Sequence, residues 1–299
     1  MPDVDTLTTR RAFVAAALAA PAAVAPAIAA EGAGEVIDVA THFYDTARPQ
    51  GVPWPSPTEP VLYKPSYPER YLADVKPYAV TGVVAIEASP WLEDNLWLLS
   101  VADRYPLIRG VVGNIAPGHP DFRAALERFS KHPLWRGIRI NGAGLGKTLG
   151  DARMMGDLRM LMEKNLSLDV LVGAPVYEDV AKLSAALPEL RIIVGHLPLD
   201  DATGLRSLGA RPRVYAKVSG VVRKDGHVPT ERLDELWDVF GPDRVLYASN
   251  WPACDMIARY PVVYKTVLDY LAGRPEEVRA KYFAGNAQAV YRLTTSTSR

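Results

Sequence analysis

A chain of 299 residues, 48% hydrophobic and 23% charged, has the composition of an ordinary globular protein able to bury one large core. Its 34 Lys and Arg balance 34 Asp and Glu, so nothing in the charge points to nucleic acid or an anionic membrane surface. The single cysteine, Cys254, excludes an intramolecular disulfide and any multi-cysteine metal site.

The N-terminal segment reads differently from the rest. Thr9-Arg10-Arg11-Ala12-Phe13-Val14 leads into an Ala-rich apolar run to Ala25, then Ala27-Ile28-Ala29 before Ala30-Glu31. A paired arginine, a short apolar stretch and an A-x-A site predict a twin-arginine signal peptide over residues 1–30. That pattern implies handling by the export machinery for folded proteins and a periplasmic or secreted location. Pro21 and Pro26 interrupt the run and no stop-transfer pattern follows, so no membrane anchor is expected.

From residue 35 onward, short β-branched runs alternate with amphipathic helical stretches. The predicted strands are Val36–Ala40, Gly82–Glu87, Ile108–Ile115, Gly137–Ile140, Ser167–Val172, Arg191–Gly195, Val214–Val218 and Arg244–Ala248. Helical patterns lie near Pro68–Tyr78, Glu93–Arg104, Asp121–Lys131, Met154–Lys164, Val176–Ala186, Thr203–Leu208, Thr230–Phe240 and Pro261–Leu271. This alternation predicts an α/β fold, a single (β/α)8 TIM-type barrel over residues 31–293. A doubly wound sheet uses the same alternation, but no Gly-rich turn follows the first strand. The proline-rich segment Arg48–Pro65 is an irregular loop on the catalytic side, either a lid or a surface wrap. Glu276–Leu293 reads as extra helix, and residues 294–299 as a disordered tail.

Barrel enzymes gather their chemistry at the carboxyl ends of the strands. There the sequence places His42, Glu87, Asn114, Arg139 with Asn141, His196, Lys217 with Ser219, and Ser249-Asn250-Trp251-Pro252. Gly142–Thr148 has the look of a phosphate loop, but Asn141 stands where its first glycine belongs and no helix clearly follows. An active-site loop reaching an anionic substrate through Lys147 is the better expectation. His119, His132 and His227 fall in helix or loop contexts and are expected at the surface.

The chain resembles the amidohydrolase-related (amidohydrolase 2) family, in particular its lactonase-like branch. The resemblance rests on Ile37-Asp38-Val39-Ala40-Thr41-His42-Phe43-Tyr44-Asp45, Ala88-Ser89-Pro90-Trp91 with Asp94-Asn95, and Gly110-Val111-Val112-Gly113. It continues through Trp135-Arg136-Gly137-Ile138-Arg139, Val194-Gly195-His196-Leu197, Phe240-Gly241-Pro242-Asp243-Arg244-Val245, Ser249-Asn250-Trp251-Pro252 and Gly285-Asn286-Ala287. Metal-dependent members carry a His-x-His pair on strand one, further histidines after strands five and six, and an aspartate on strand eight. Here Ala40 replaces the first histidine, Leu168–Gly173 contains none, and Asn250 stands at the aspartate position. Two histidines and an amide hold zinc weakly, so no cofactor is expected beyond a loosely bound divalent ion.

The resemblance implies a hydrolase acting on a lactone or related cyclic ester of a small acidic or sugar-acid substrate, and the missing ligands point to a reaction without metal. His42 and His196 are the expected proton-transfer groups, with Asn250 at the oxyanion and Glu87 as a candidate base. Arg139 and Lys217 are expected to bind substrate charge, Tyr44 and Trp251 to wall the pocket, and Asn114 to face it. Asp38 is expected to hydrogen-bond near the strand-one turn. Three alternatives remain open: a metal-free lactone isomerase, a metal-dependent amidohydrolase or decarboxylase using Glu87 as ligand, and a non-catalytic periplasmic binding protein.

Overall fold

The computed structural model describes residues 34–171, 176–196 and 204–294. The predicted signal peptide and the end of the tail lie outside them. Eight strands form one sheet in the order of the chain: β1 (Val36–Thr41), β2 (Val80–Ile86), β3 (Ile108–Gly113), β4 (Trp135–Asn141), β5 (Ser167–Leu171), β6 (Arg191–Gly195), β7 (Val214–Val218) and β8 (Val245–Tyr247). All seven neighbouring pairs run parallel. A parallel bridge from Thr41 to Trp251 and a 2.8 Å bond from the His42 amide to the Trp251 carbonyl bring β1 against the end of β8. The predicted barrel is therefore the observed fold.

Every residue of β1 is buried, as a strand covered on both faces requires. Alternate residues divide between two cores. Val36, Val83, Val111, Val170 and Ala216 face the surrounding helices. Ile37, Val84, Val112, Ile193 and Leu246 belong to a second cluster in the barrel interior, which α10 (Asn286–Tyr291) closes with Ala287, Val290 and Tyr291. The tail thus plugs the amino-terminal end of the strands.

The helices start where local chemistry favours it. Pro68 opens α1 (Pro68–Val75), whose Tyr71 and Val75 are buried. Asp151 caps α5 (Ala152–Glu163), accepting from the amides of Arg153 and Met154. Two expectations change. Of the helix predicted over Thr203–Leu208, Thr203 lies outside the described residues and the rest holds a single 3-10 turn, Leu205–Leu208, flanked by glycines at 204 and 209. The Gly142–Thr148 loop does open a short helix, α4 (Leu145–Thr148), after Gly144 at φ 85°. No helix among the described residues is long and apolar enough to cross a membrane.

Candidate active site

At the carboxyl ends of the strands lies a cavity of about 810 Å³. His42, Glu87, Asn114, Arg139, His196 and Asn250 all line it, so the structure brings together six of the nine residues singled out from the sequence. The other three lie elsewhere, for reasons given below.

His42 follows β1 and is only 4% exposed. Its Nδ1 lies 3.2 Å from the carbonyl oxygens of Ile86 and Glu87. Both neighbours are acceptors, so Nδ1 must carry the hydrogen, and Nε2 of the neutral ring holds the lone pair. Burial, then the charge of Arg139 and the neighbouring His196, push the His42 pKa well below the ordinary range. The ring is therefore neutral at physiological pH.

His196 follows β6 with φ 52°, and Asn250 lies beyond β8 with φ 62°. Left-handed backbone is uncommon outside glycine, although histidine and asparagine tolerate it better than most residues. Such strained positions concentrate at functional sites, and here both side chains border the cavity. His196 Nδ1 pairs with Ser219 Oγ at 2.8 Å. Burial, Arg139 and Lys217 lower its pKa to about 3. Asn250 owes its place to the residue before it. The buried Asp38 carboxylate accepts from the Ser249 amide at 2.9 Å, from Ser249 Oγ at 2.5 Å and from Tyr71 OH at 2.9 Å. Asp38 thus hydrogen-bonds near the end of strand one, as expected, and in doing so clamps the seam of β1 and β8. Burial raises its pKa against the opposing pull of the Ser249 hydrogen bonds.

Glu87 is the partner of Arg139, whose Nε donates to Glu87 Oε1 at 2.7 Å and whose Nη2 donates to the Glu87 carbonyl at 2.9 Å. This pairing fixes the guanidinium and leaves Glu87 a poor candidate for the expected base. Asn114 faces the cavity from the end of β3. The buried Asn95 side chain holds its backbone at both poles, accepting from the Asn114 amide at 2.9 Å and donating to its carbonyl at 2.8 Å.

Lys217, Tyr44 and Trp251 correct the sequence reading. Lys217 is buried beneath the cavity and donates to Asp169 Oδ2 at 2.5 Å, so it does not reach substrate in the upper space. Burial lowers its pKa, with the Asp169 carboxylate acting in the opposite direction. Trp251 is 0% exposed and packs on Phe43 and Tyr71, its indole nitrogen donating to Asp74 at 3.1 Å. Its side chain faces the helical layer, away from the cavity. Tyr44 is buried too, its hydroxyl on the Leu62 carbonyl at 2.8 Å.

Trp54 takes the wall position expected of Tyr44. It comes from the proline-rich loop, lines the cavity, and sits edge-on to His42 at 5.8 Å and to Tyr44 at 5.4 Å. The loop is tied down by pairing between Tyr44 and Ser66 and by the Arg48–Asp94 bridge at 2.8 Å. In the 142–148 loop, Ala143, Gly144, Leu145 and Thr148 line the cavity, whereas Lys147 is exposed to solvent and does not. His119 and His227 are exposed and His132 is partly so. Sequence reasoning also missed Asp169. Its signal was a lone charge inside the apolar run Ser167–Leu171, a pattern that calls for a buried partner.

The donor set does not suit a divalent cation. No group of three or more His, Cys, Asp or Glu among the described residues is placed to hold a metal ion. His42 and His196 offer one nitrogen each, Asn250 an amide oxygen, and Ala40 nothing. Arg139 borders both histidines in the cavity and Lys217 borders them from the smaller space beneath, and each brings positive charge of its own.

The chain is similar to known proteins over most of its length. It is 25% identical over 279 residues to an L-fucono-1,5-lactonase of Burkholderia ambifaria, covering 86% of this chain and 95% of that one. An L-fucono-1,5-lactonase of Burkholderia multivorans is 26% identical over 292 residues, covering 86% of this chain and 96% of its own. Among solved structures, an amidohydrolase from Burkholderia multivorans with bound zinc superposes with a TM-score of 0.79 at 24% identity, covering 87% of this chain and 100% of that one. The amidohydrolase family model matches residues 37–293. With that match running from the first strand to the closing helix, the chain belongs to the amidohydrolase family.

Proposed function

We propose that the protein hydrolyses a lactone or related cyclic ester of a small acidic or sugar-acid molecule, without a divalent metal. One observation carries this reading: the His42 ring lines the cavity with Nδ1 committed to two backbone carbonyls, leaving Nε2 as its basic nitrogen. Water adds to the lactone carbonyl carbon as its proton passes to His42 Nε2. When the bond to the ring oxygen breaks, that oxygen takes the proton back, and the product is the open hydroxy acid. Arg139, steadied by Glu87 through Nε and Nη2, offers Nη1 to the carbonyl oxygen or to a substrate carboxylate. Asn250 and His196 border the same oxygen-binding region. The relatives named as lactonases support the substrate class, and the ill-suited donor set supports the metal-free part. The paired arginines Arg10 and Arg11 support export of the folded chain.

The test is a panel of aldonolactones and pyrone-type lactones, followed by proton release in weak buffer, with metal analysis of the same dialysed preparation. Proton release by protein free of stoichiometric metal is the expected result. A rearranged lactone without proton release would identify an isomerase. Stoichiometric zinc whose removal abolishes turnover would overturn the metal-free reading.

A further inference from the structure

Below the main cavity, Asp169 projects from the middle of β5 into the barrel interior and is 2% exposed. Its Oδ2 accepts both from Lys217 at 2.5 Å and from Tyr291 OH at 2.8 Å, the latter reaching up from the plugging helix α10. Its Oδ1 is equally inaccessible and has no hydrogen-bond partner among the described residues. An unsatisfied buried carboxylate oxygen costs roughly 1–3 kcal/mol or more, so this atom calls for a donor. Arg139 is the register neighbour of Asp169 across β4 and β5, but Glu87 holds its guanidinium.

Asp169 forms part of the wall of a small chamber of about 10 Å³, shared with Ala40, His42, Arg139, His196 and Lys217. That volume is on the order of what one water centre needs, and the wall supplies the two to four polar partners that a buried water requires. His42, Arg139 and His196 also line the upper cavity, so the chamber and the cavity share walls. The methyl of Ala40 leaves the room. A larger side chain there would project from β1 into the chamber.

We propose that the chamber holds one water molecule, donating to Asp169 Oδ1, and that this water is the nucleophile of the lactone hydrolysis proposed above, on which this second part rests. Its oxygen bonds to the carbonyl carbon while one hydrogen passes as a proton to His42 Nε2. The second hydrogen stays on the water oxygen and is donated to Asp169 Oδ1, which only orients the water. Lys217 and Tyr291 act through Asp169 by fixing the plane of its carboxylate.

The experiment has two arms. A high-resolution crystal structure of the unaltered protein should show an ordered water within hydrogen-bonding distance of Asp169 Oδ1; a dry chamber overturns the site. Ala40→Val fills the chamber without touching the upper cavity. It should lower kcat by about 100-fold or more while KM changes by less than about threefold. A folded Ala40→Val protein with the original kcat overturns the nucleophile assignment even if the water is seen. Should the unaltered protein open no lactone, the functional reading fails and takes the nucleophile role with it, while the crystal structure still decides the water site. Should Ala40→Val not fold, the smaller filler Ala40→Cys is measured the same way, and a folded Ala40→Cys protein with the original kcat likewise overturns the nucleophile assignment.

Discussion

Two arginines on opposite ends of the barrel differ in what their surroundings leave them free to do. Arg244, just before β8 at the amino-terminal end, donates to the carbonyls of Phe240, Gly209, Arg211 and Val239 at 2.7–3.1 Å. Asn286 does the same work nearby, its amide reaching the carbonyls of Pro242 and Val245 at 2.8 Å each. These side chains finish hydrogen bonds that the backbone leaves open. At the carboxyl end, Arg139 is steadied on one side and faces a cavity on the other, as do His42 and Asn250. Polar groups at one end close the structure; at the other they are held in place with bonding capacity in reserve. That reserve is what distinguishes a working site from a scaffold.

Five substitutions and a pH profile test this contrast. The largest effect is expected from His42→Gln, which should reduce kcat by ~1,000-fold with little change in melting temperature. A variant with full activity would remove His42 from the chemistry. Arg244→Leu should lower stability by about 3 kcal/mol, because several buried carbonyls lose their donor at once. Its kcat well below the transition should match that of the parent, and a large loss in still-folded protein would erase the division between the two ends. Arg139→Lys keeps the charge but loses the planar fork, and should cost about 30-fold in kcat/KM. Trp54→Ala should raise KM about fivefold and leave kcat within about twofold, since the indole offers surface to the substrate and no proton.

The smallest expected effect is an absence of one. Both cavity histidines have folded-state pKa values below the ordinary 6.5, so kcat/KM should show no inflection near that pH on acidification. A limb at pH 6.5 would mean that the essential imidazole is solvated. Stability carries the complementary sign. The unfolded chain binds protons at these histidines below pH 6.5 while the folded protein does not. Their contribution is therefore full above pH 6.5 and is lost as pH falls toward about 3, where His196 charges. Melting temperatures measured from pH 7 to pH 5 should fall less in His196→Gln than in the parent.

Much of this architecture was legible in the sequence because period-two burial and barrel order are local properties. Val36 to Ala40 reads as a buried strand by itself, and His42 just past its end reads as a site residue. Trp251 misled because it sits between Asn250 and Pro252, and nothing local says that its ring turns toward Tyr71 in α1 and not toward the cavity. The Lys217–Asp169 pair was hidden for another reason. It joins β5 to β7 across the interior, and the strands between and around them set that meeting, not any spacing along the chain. Trp54 lay in a loop without periodicity, where only the folded path shows which side chain turns inward. Asn95 was part of a recognisable motif, but its action as a clip on both backbone poles of Asn114 is visible only in three dimensions.

The loop carrying Trp54 has a consequence for how such a protein could diversify. It is fastened at its two ends, by Tyr44 against Ser66 and by Arg48 against Asp94, and supplies one wall without supplying any strand-end group. Exchanging the stretch between those fasteners would reshape what the cavity admits while His42, Arg139, His196 and Asn250 stayed on their strands. Substrate range and bond-making are thus written in separable parts of the chain, and selection can revise the first without editing the second.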